Sequence, residues 1–137
     1  MSHMRASALS QYSKTAVEAG IAGASPHRLI QMLMEGALDK IAIARGHLER
    51  GQMEQKTRHI GWALSIIGGL RASLNKEAGG EIAQNLDDLY DYMERRLTES
   101  NVSNDVAILD EVAGLLKTIK EAWDAIGETG VDNRAAG

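Results

Sequence analysis

The sequence predicts an all-α chain: an antiparallel up-down four-helix bundle preceded by a short, mobile N-terminal helical segment. Three observations carry that expectation. A single proline stands among 137 residues, and because proline costs about 3 kcal/mol inside a helix, long helices can run uninterrupted. Apolar residues recur at four- and three-residue steps through four long stretches, which places them on one helical face. Those stretches span roughly 20 to 25 residues each, or about 30 to 37 Å. The breaks between them are short, so consecutive helices must be antiparallel neighbours.

The N-terminal segment, roughly Ala6 to Ala19, sets Leu9, Tyr12, Ala16 and Val17 at helical spacing and gives way to a small-residue joint, Gly20 to Ser25. A helix this short is marginal alone, so its apolar side is expected to lie against the bundle as an exchangeable plug. Ser25 followed by Pro26 opens the first long helix, since Ser caps free amides and Pro suits the first helical position. Ile30, Met34, Ala37, Ile41, Ala44 and Leu48 form its seam, and Gly51 ends it.

The second long helix is expected from Met53 to Leu74, with Ile60, Leu64, Ile67, Leu70 and Leu74 facing the core. Asn75 to Gly80 separates it from the third, in which Glu81 favours the N-terminal end of the helix dipole. Ile82, Leu86, Leu89, Met93 and Leu97 form the third apolar stripe, leaving Tyr90 and Tyr92 off its centre. Asn101 to Asn104 reads as the last turn, with Ser103 or Asn104 as cap. Leu109, Val112, Leu116, Ile119, Trp123 and Ile126 carry the fourth helix.

The division expected is therefore residues 1–3 as tag residue, 4–24 as N-terminal segment and joint, 25–127 as the bundle, and 128–137 as a disordered tail. Ser2-His3-Met4 has the look of a cleaved expression tag, which would start native numbering at Met4.

Composition excludes several functions. No cysteine is present, so disulfides, thiolate metal sites and thiol nucleophiles are ruled out, in keeping with a cytosolic location. A net charge of -4 argues against general nucleic-acid binding. No apolar run approaches a membrane span, so no membrane insertion is expected. A carboxylate-bridged di-iron bundle needs Glu-x-x-His pairs, but Ala24, Ala44 and Lys56 precede His27, His47 and His59 by three. No catalytic residue, cofactor or metal is expected, and the chain does not read as an enzyme.

The helices nevertheless carry more apolar residues than one seam needs. Leu29, Met32, Leu33 and Ile43 flank the first seam, and Trp62 and Ile66 the second. Tyr90 flanks the third, and Val106, Ile108 and Leu115 the fourth. They are either a broad core-facing stripe or an exposed groove for a partner helix. Gly36, Gly61, Gly68 and Gly69 lie inside helices at about 1 kcal/mol each. Either a close neighbouring helix or a flat floor for an incoming one would account for them.

Ser25-Pro26-His27-Arg28-Leu29-Ile30-Gln31-Met32-Leu33 and the run from Gly79 to Leu97 resemble the flagellar secretion chaperone family FliS. Asn104-Asp105 leading to Glu111-Val112 and Leu115-Leu116 adds to the resemblance, which covers about Leu9 to Ile126. The resemblance implies a cytosolic, non-enzymatic chaperone that binds the C-terminal segment of newly made flagellin. It further implies that premature polymerisation is prevented and that the subunit is delivered to the flagellar type III export gate. Tyr12 and Leu9 match the family's N-terminal tyrosine and the apolar residue three before it, a region tied in the family to the gate encounter and to covering the groove. Phe at family core positions is replaced here by residues such as Met34.

The partner-binding residues expected are Leu9, Tyr12, Val17, Leu29, Met32, Leu33, Ile43, Trp62, Ile66, Tyr90, Ile108 and Leu115. The alternative is a self-associating structural or regulatory bundle, and a homodimer stays open under either reading.

Overall fold

The computed structural model describes residues 23–136. Four helices follow in order: α1 (Pro26–Glu49), α2 (Met53–Ala72), α3 (Lys76–Ser103) and α4 (Val106–Ala136). The expected N-terminal helix, with Leu9, Tyr12 and Val17, lies outside the described residues.

Each helix packs on its sequence neighbours, and α1 also packs on α4, so the ring order is α1–α2–α3–α4, with no diagonal helix pair in contact among the described residues. Pairs of residues fix the antiparallel sense. Lys40 lies against Trp62 and His47 against His59. Thr57 bonds to Asn101 whereas Arg71 bonds to Asp87. Arg45 bonds to Asp110 whereas Gln31 bonds to Asp124.

Helix ends follow local chemistry. The Arg28 amide donates to Ser25 Oγ at 3.1 Å, with Pro26 at the first helical position. Gly51, at φ 72°, turns the chain from α1 into α2. The α3–α4 connection is tighter than expected, because Asn101 to Ser103 still belong to α3. Asn104 closes α3 in the left-handed region at φ 56°. Asp105 then caps α4 by accepting from the Ala107 amide at 3.0 Å.

A second stabiliser of that corner is Lys56, which is 3% exposed. Its ammonium donates to Asn101 O at 2.9 Å and Asn104 Oδ1 at 2.6 Å. The cation thus meets the free carbonyls and negative dipole end of α3.

Gly80 interrupts α3 at φ 53°, ψ −128°, so Lys76 to Gly79 form a separate turn before the long part begins. That conformation is open only to glycine. Gly80→Ala is expected to cost about 1 to 3 kcal/mol in urea unfolding, although nothing lies within 4 Å of the added carbon. Gly127 breaks α4 likewise, at φ 69°.

The core matches most of the seams. Met34, Ala37, Ile41 and Ala44 meet Ile60, Ala63, Ile67 and Leu70 from α2, Met93 and Leu97 from α3, and Leu109, Val112 and Leu116 from α4. The third seam is the correction. Ile82 is 72% exposed, Leu86 and Leu89 are only half-buried, and the inward positions are Ala83, Asp87 and Tyr90.

Candidate functional site: the α1–α2 groove

On α1 the core seam is flanked, one residue earlier at each step, by Leu29, Leu33, Gly36, Lys40, Ile43 and His47. On α2 the corresponding flank is His59, Trp62, Ile66 and Gly69. The steps are again three and four, so each flank is a second stripe parallel to the first. The two stripes meet along the outer seam between the helices.

Gly36 faces Ile66 there, and a carbon added to Gly36 would stand 3.6 Å from Ile66 Cδ1. Ile66 thus packs over the bare backbone of Gly36, with Leu33 and Ile43 on the same α1 stripe. Trp62, one step away on α2, is 52% exposed. Lys40 Nζ sits over the indole, 3.9 Å from the ring centroid. His59 follows at 6.1 Å from Trp62, and His47 at 5.1 Å from His59. Arg50 finishes the line, its guanidinium 3.3 Å from His47 Nδ1.

The expected partner-binding residues divide over the bundle. Leu29, Leu33, Ile43, Trp62 and Ile66 fall on the two flanking stripes, with Leu29 and Ile66 buried. Met32 is half-buried, one step outside it. Ile108 and Leu115 lie on α4, a heptad apart, beside α3. In the ring order that is the opposite side of the bundle.

Tyr90 is not a groove wall. It is 2% exposed within the central core, and burial pushes its phenol up to about 12. Spectrophotometric titration is expected to leave one tyrosine un-ionised until about that pH, and Tyr90→Phe should remove that last step.

On the α3–α4 side, Tyr92 and Arg96 have structural work to do. The Tyr92 hydroxyl donates to Glu111 Oε2 at 2.7 Å, and Arg96 Nε donates to Glu111 Oε1 at 2.8 Å. Arg96, and after it Tyr92, hold the Glu111 carboxyl below the usual range. The mid-helix glycines are also clarified. Nothing lies within 4 Å of a carbon placed on Gly61 or Gly68, so close approach of a neighbouring helix does not explain either.

Lys40, His47 and His59 were not expected at a site. Their signal was the flanking stripe, displaced by one residue from the core seam, which a search for apolar positions alone passes over.

The family model described as "Flagellar protein FliS" matches residues 8–130. The chain belongs to the FliS family. It is similar to the flagellar secretion chaperone FliSB of Pseudomonas aeruginosa, 53% identical over 119 residues, covering 87% of this chain and 94% of that protein. The flagellar secretion chaperone FliS of Salmonella typhimurium is 47% identical over 122 residues, covering 88% and 90%. That of Escherichia coli is 37% identical over 113 residues, covering 82% and 83%. The match to the FliS model includes every groove residue, from Leu29 to Gly69.

Among the described residues of this FliS-family chain, no helix is long and apolar enough to cross a membrane. Nor does any group of three or more His, Asp or Glu side chains stand together as metal ligands there.

Proposed function

We infer that the chain is a flagellar secretion chaperone whose client is flagellin, and that it takes the client's C-terminal segment before export. The observation that carries this is the α1–α2 seam: an apolar flank where Ile66 packs over Gly36 and a half-exposed tryptophan stands beside a buried core. An amphipathic flagellin terminus has no partner for its apolar side until the filament forms. Laid along the groove, it buries that side at an ordering cost. Occupying the segment keeps subunits from polymerising early, in the cytosol, and the complex is then presented to the export gate of the flagellar type III apparatus.

The N-terminal residues Leu9, Tyr12 and Val17 are proposed to serve the gate encounter and to compete with the client for apolar surface. Binding is then an exchange of occupants.

Titration of the full chain with a flagellin C-terminal peptide is expected to give saturable one-to-one binding at or below about 10 μM, the range for a modest groove interface. No binding at several times that concentration would sink the reading. Light scattering addresses the rival: a self-associating bundle would stay dimeric with flagellin present, whereas a client chaperone gives a mixed complex.

A further inference from the structure

We propose that the α1–α2 groove selects a helix with an acidic polar flank, and that Lys40 is the residue that reads the charge. The inference rests on the client reading above and specifies the chemistry of the segment that fits.

The bundle is electrically lopsided. Residues 26–72, which form α1 and α2, hold seven Lys and Arg against four Asp and Glu. Residues 76–127, which include α3 and most of α4, hold five against twelve. Arg45, Lys56 and Arg71 turn to partners on α4 and α3, so the ring order places a near-neutral α1–α2 side opposite an acidic one. An apolar helix searching the surface meets two flanks, and its own charge decides between them. Acidic residues drive it from α3–α4 and leave α1–α2, where a single cation can decide the fit.

The groove's cations are weakly committed. Among the described residues Lys40 has one carboxylate neighbour within 4 Å, the exposed Asp39, at 3.7 Å. Arg50 bonds to Gln52 and His47, and no carboxylate among the described residues lies within 4 Å of it.

Lys40 is the decisive one because of where its ammonium rests. It lies over the ring of Trp62, which is itself 52% exposed. A helix seated against Trp62 must either displace that ammonium or bury it. An unpaired buried ammonium is costly, and one with a carboxylate beside it much less so. The fitting segment therefore carries Asp or Glu next to the apolar residue that covers Trp62. A second acid about 15 Å further along would meet Arg50, ten residues beyond Lys40 on α1.

Two synthetic amphipathic peptides with the same apolar residues, one with Glu and one with Lys on the polar flank, test this on the full chain. Binding is followed by calorimetry and by the Trp62 indole N–H resonance. Trp123 serves as an internal reference, since its indole donates to His27 O at 2.9 Å away from the groove. The Glu peptide is expected to bind about tenfold more tightly at low salt, with the gap narrowing as salt rises. Lys40→Gln should close most of the gap, Lys40→Glu reverse it, and Lys40→Arg keep it. Circular dichroism checks that each variant is folded.

Equal affinities, or a gap that Lys40→Gln leaves untouched, overturn the inference. If the flagellin C-terminal peptide still binds in that case, the client reading stands without it. If the flagellin peptide binds without moving the Trp62 resonance, the groove is the wrong site and this inference falls alone; if it does not bind at all, the client reading falls as well.

Discussion

Arg71→Ala is expected to lower the stability of the bundle by about 2 to 4 kcal/mol at neutral pH. Arg71 is the hub between α2 and α3. Its Nε donates to Asp87 Oδ1 at 2.7 Å, and a terminal nitrogen reaches Asp91 at 3.1 Å and Glu94 at 3.4 Å. Asp87 is buried, and its other neighbour, Lys76 at 3.2 Å, is half-exposed. Removing Arg71 leaves a buried carboxylate with a screened partner and two more carboxylates close by.

The pH dependence identifies the cause. The hydrogen bond from Arg71 holds the Asp87 carboxyl below the usual range, against the opposing effect of burial. A depressed carboxyl contributes stability above its unfolded value, about 3.9, and loses it as pH falls through the lower folded value. The gap between wild type and Arg71→Ala should therefore be full at about pH 7 and shrink toward pH 3. Adding Asp87→Asn to the variant should recover a large share of the loss. Urea unfolding at the two pH values measures both. A gap unchanged across that range would mean Asp87 is not what Arg71 serves.

Trp62→Ala is expected to weaken binding of the flagellin segment by about 10- to 100-fold, the range for an aromatic anchor at an interface centre. Stability should change little, because the ring is already half in solvent. Trp62→Phe should retain part of the affinity. Val102→Ala is the control: that side chain is 81% exposed at the α3–α4 turn, outside the groove. Calorimetry with each variant decides the matter, and equal effects from Trp62 and Val102 would remove the groove from consideration.

Much of this architecture could be read from the chain before any coordinates. The Ser25-Pro26 start, the Gly51 stop and the seams of α1, α2 and α4 follow from side-chain chemistry and helical spacing alone. The third helix was harder for a physical reason. Its inward line runs through Ala83, Asp87 and Tyr90, and joins the expected stripe only at Met93 and Leu97. Ala is a weak apolar signal, and Asp is ordinarily a surface residue. Asp87 goes inside because Arg71, on another helix, meets it there, and no local pattern records that partner. Lys56 hid in the same way, since its acceptors lie more than forty residues downstream.

For the candidate groove, residues could be read from the chain but not their placement. Leu29, Leu33, Ile43, Trp62 and Ile66 stood out as surplus apolar residues, but their convergence depends on which faces α1 and α2 turn to each other. Tyr90, Ile108 and Leu115 had the same composition and belong elsewhere.

The ring order also governs the sequence of folding events. Three of the four helix pairs are joined by two or three residues, so their closure costs little chain entropy. Only the α1–α4 pair must bring together residues far apart in the chain, as in Gln31–Asp124 and His27–Trp123. Loop-closure cost makes that pair the last to form and, by the same logic, the first to part. The bundle behaves as three linked hairpins fastened by one long-range clasp. Amide exchange in the first turn of α1 and in α4 near Trp123 is where that clasp should show itself as the fastest opening of the helical core.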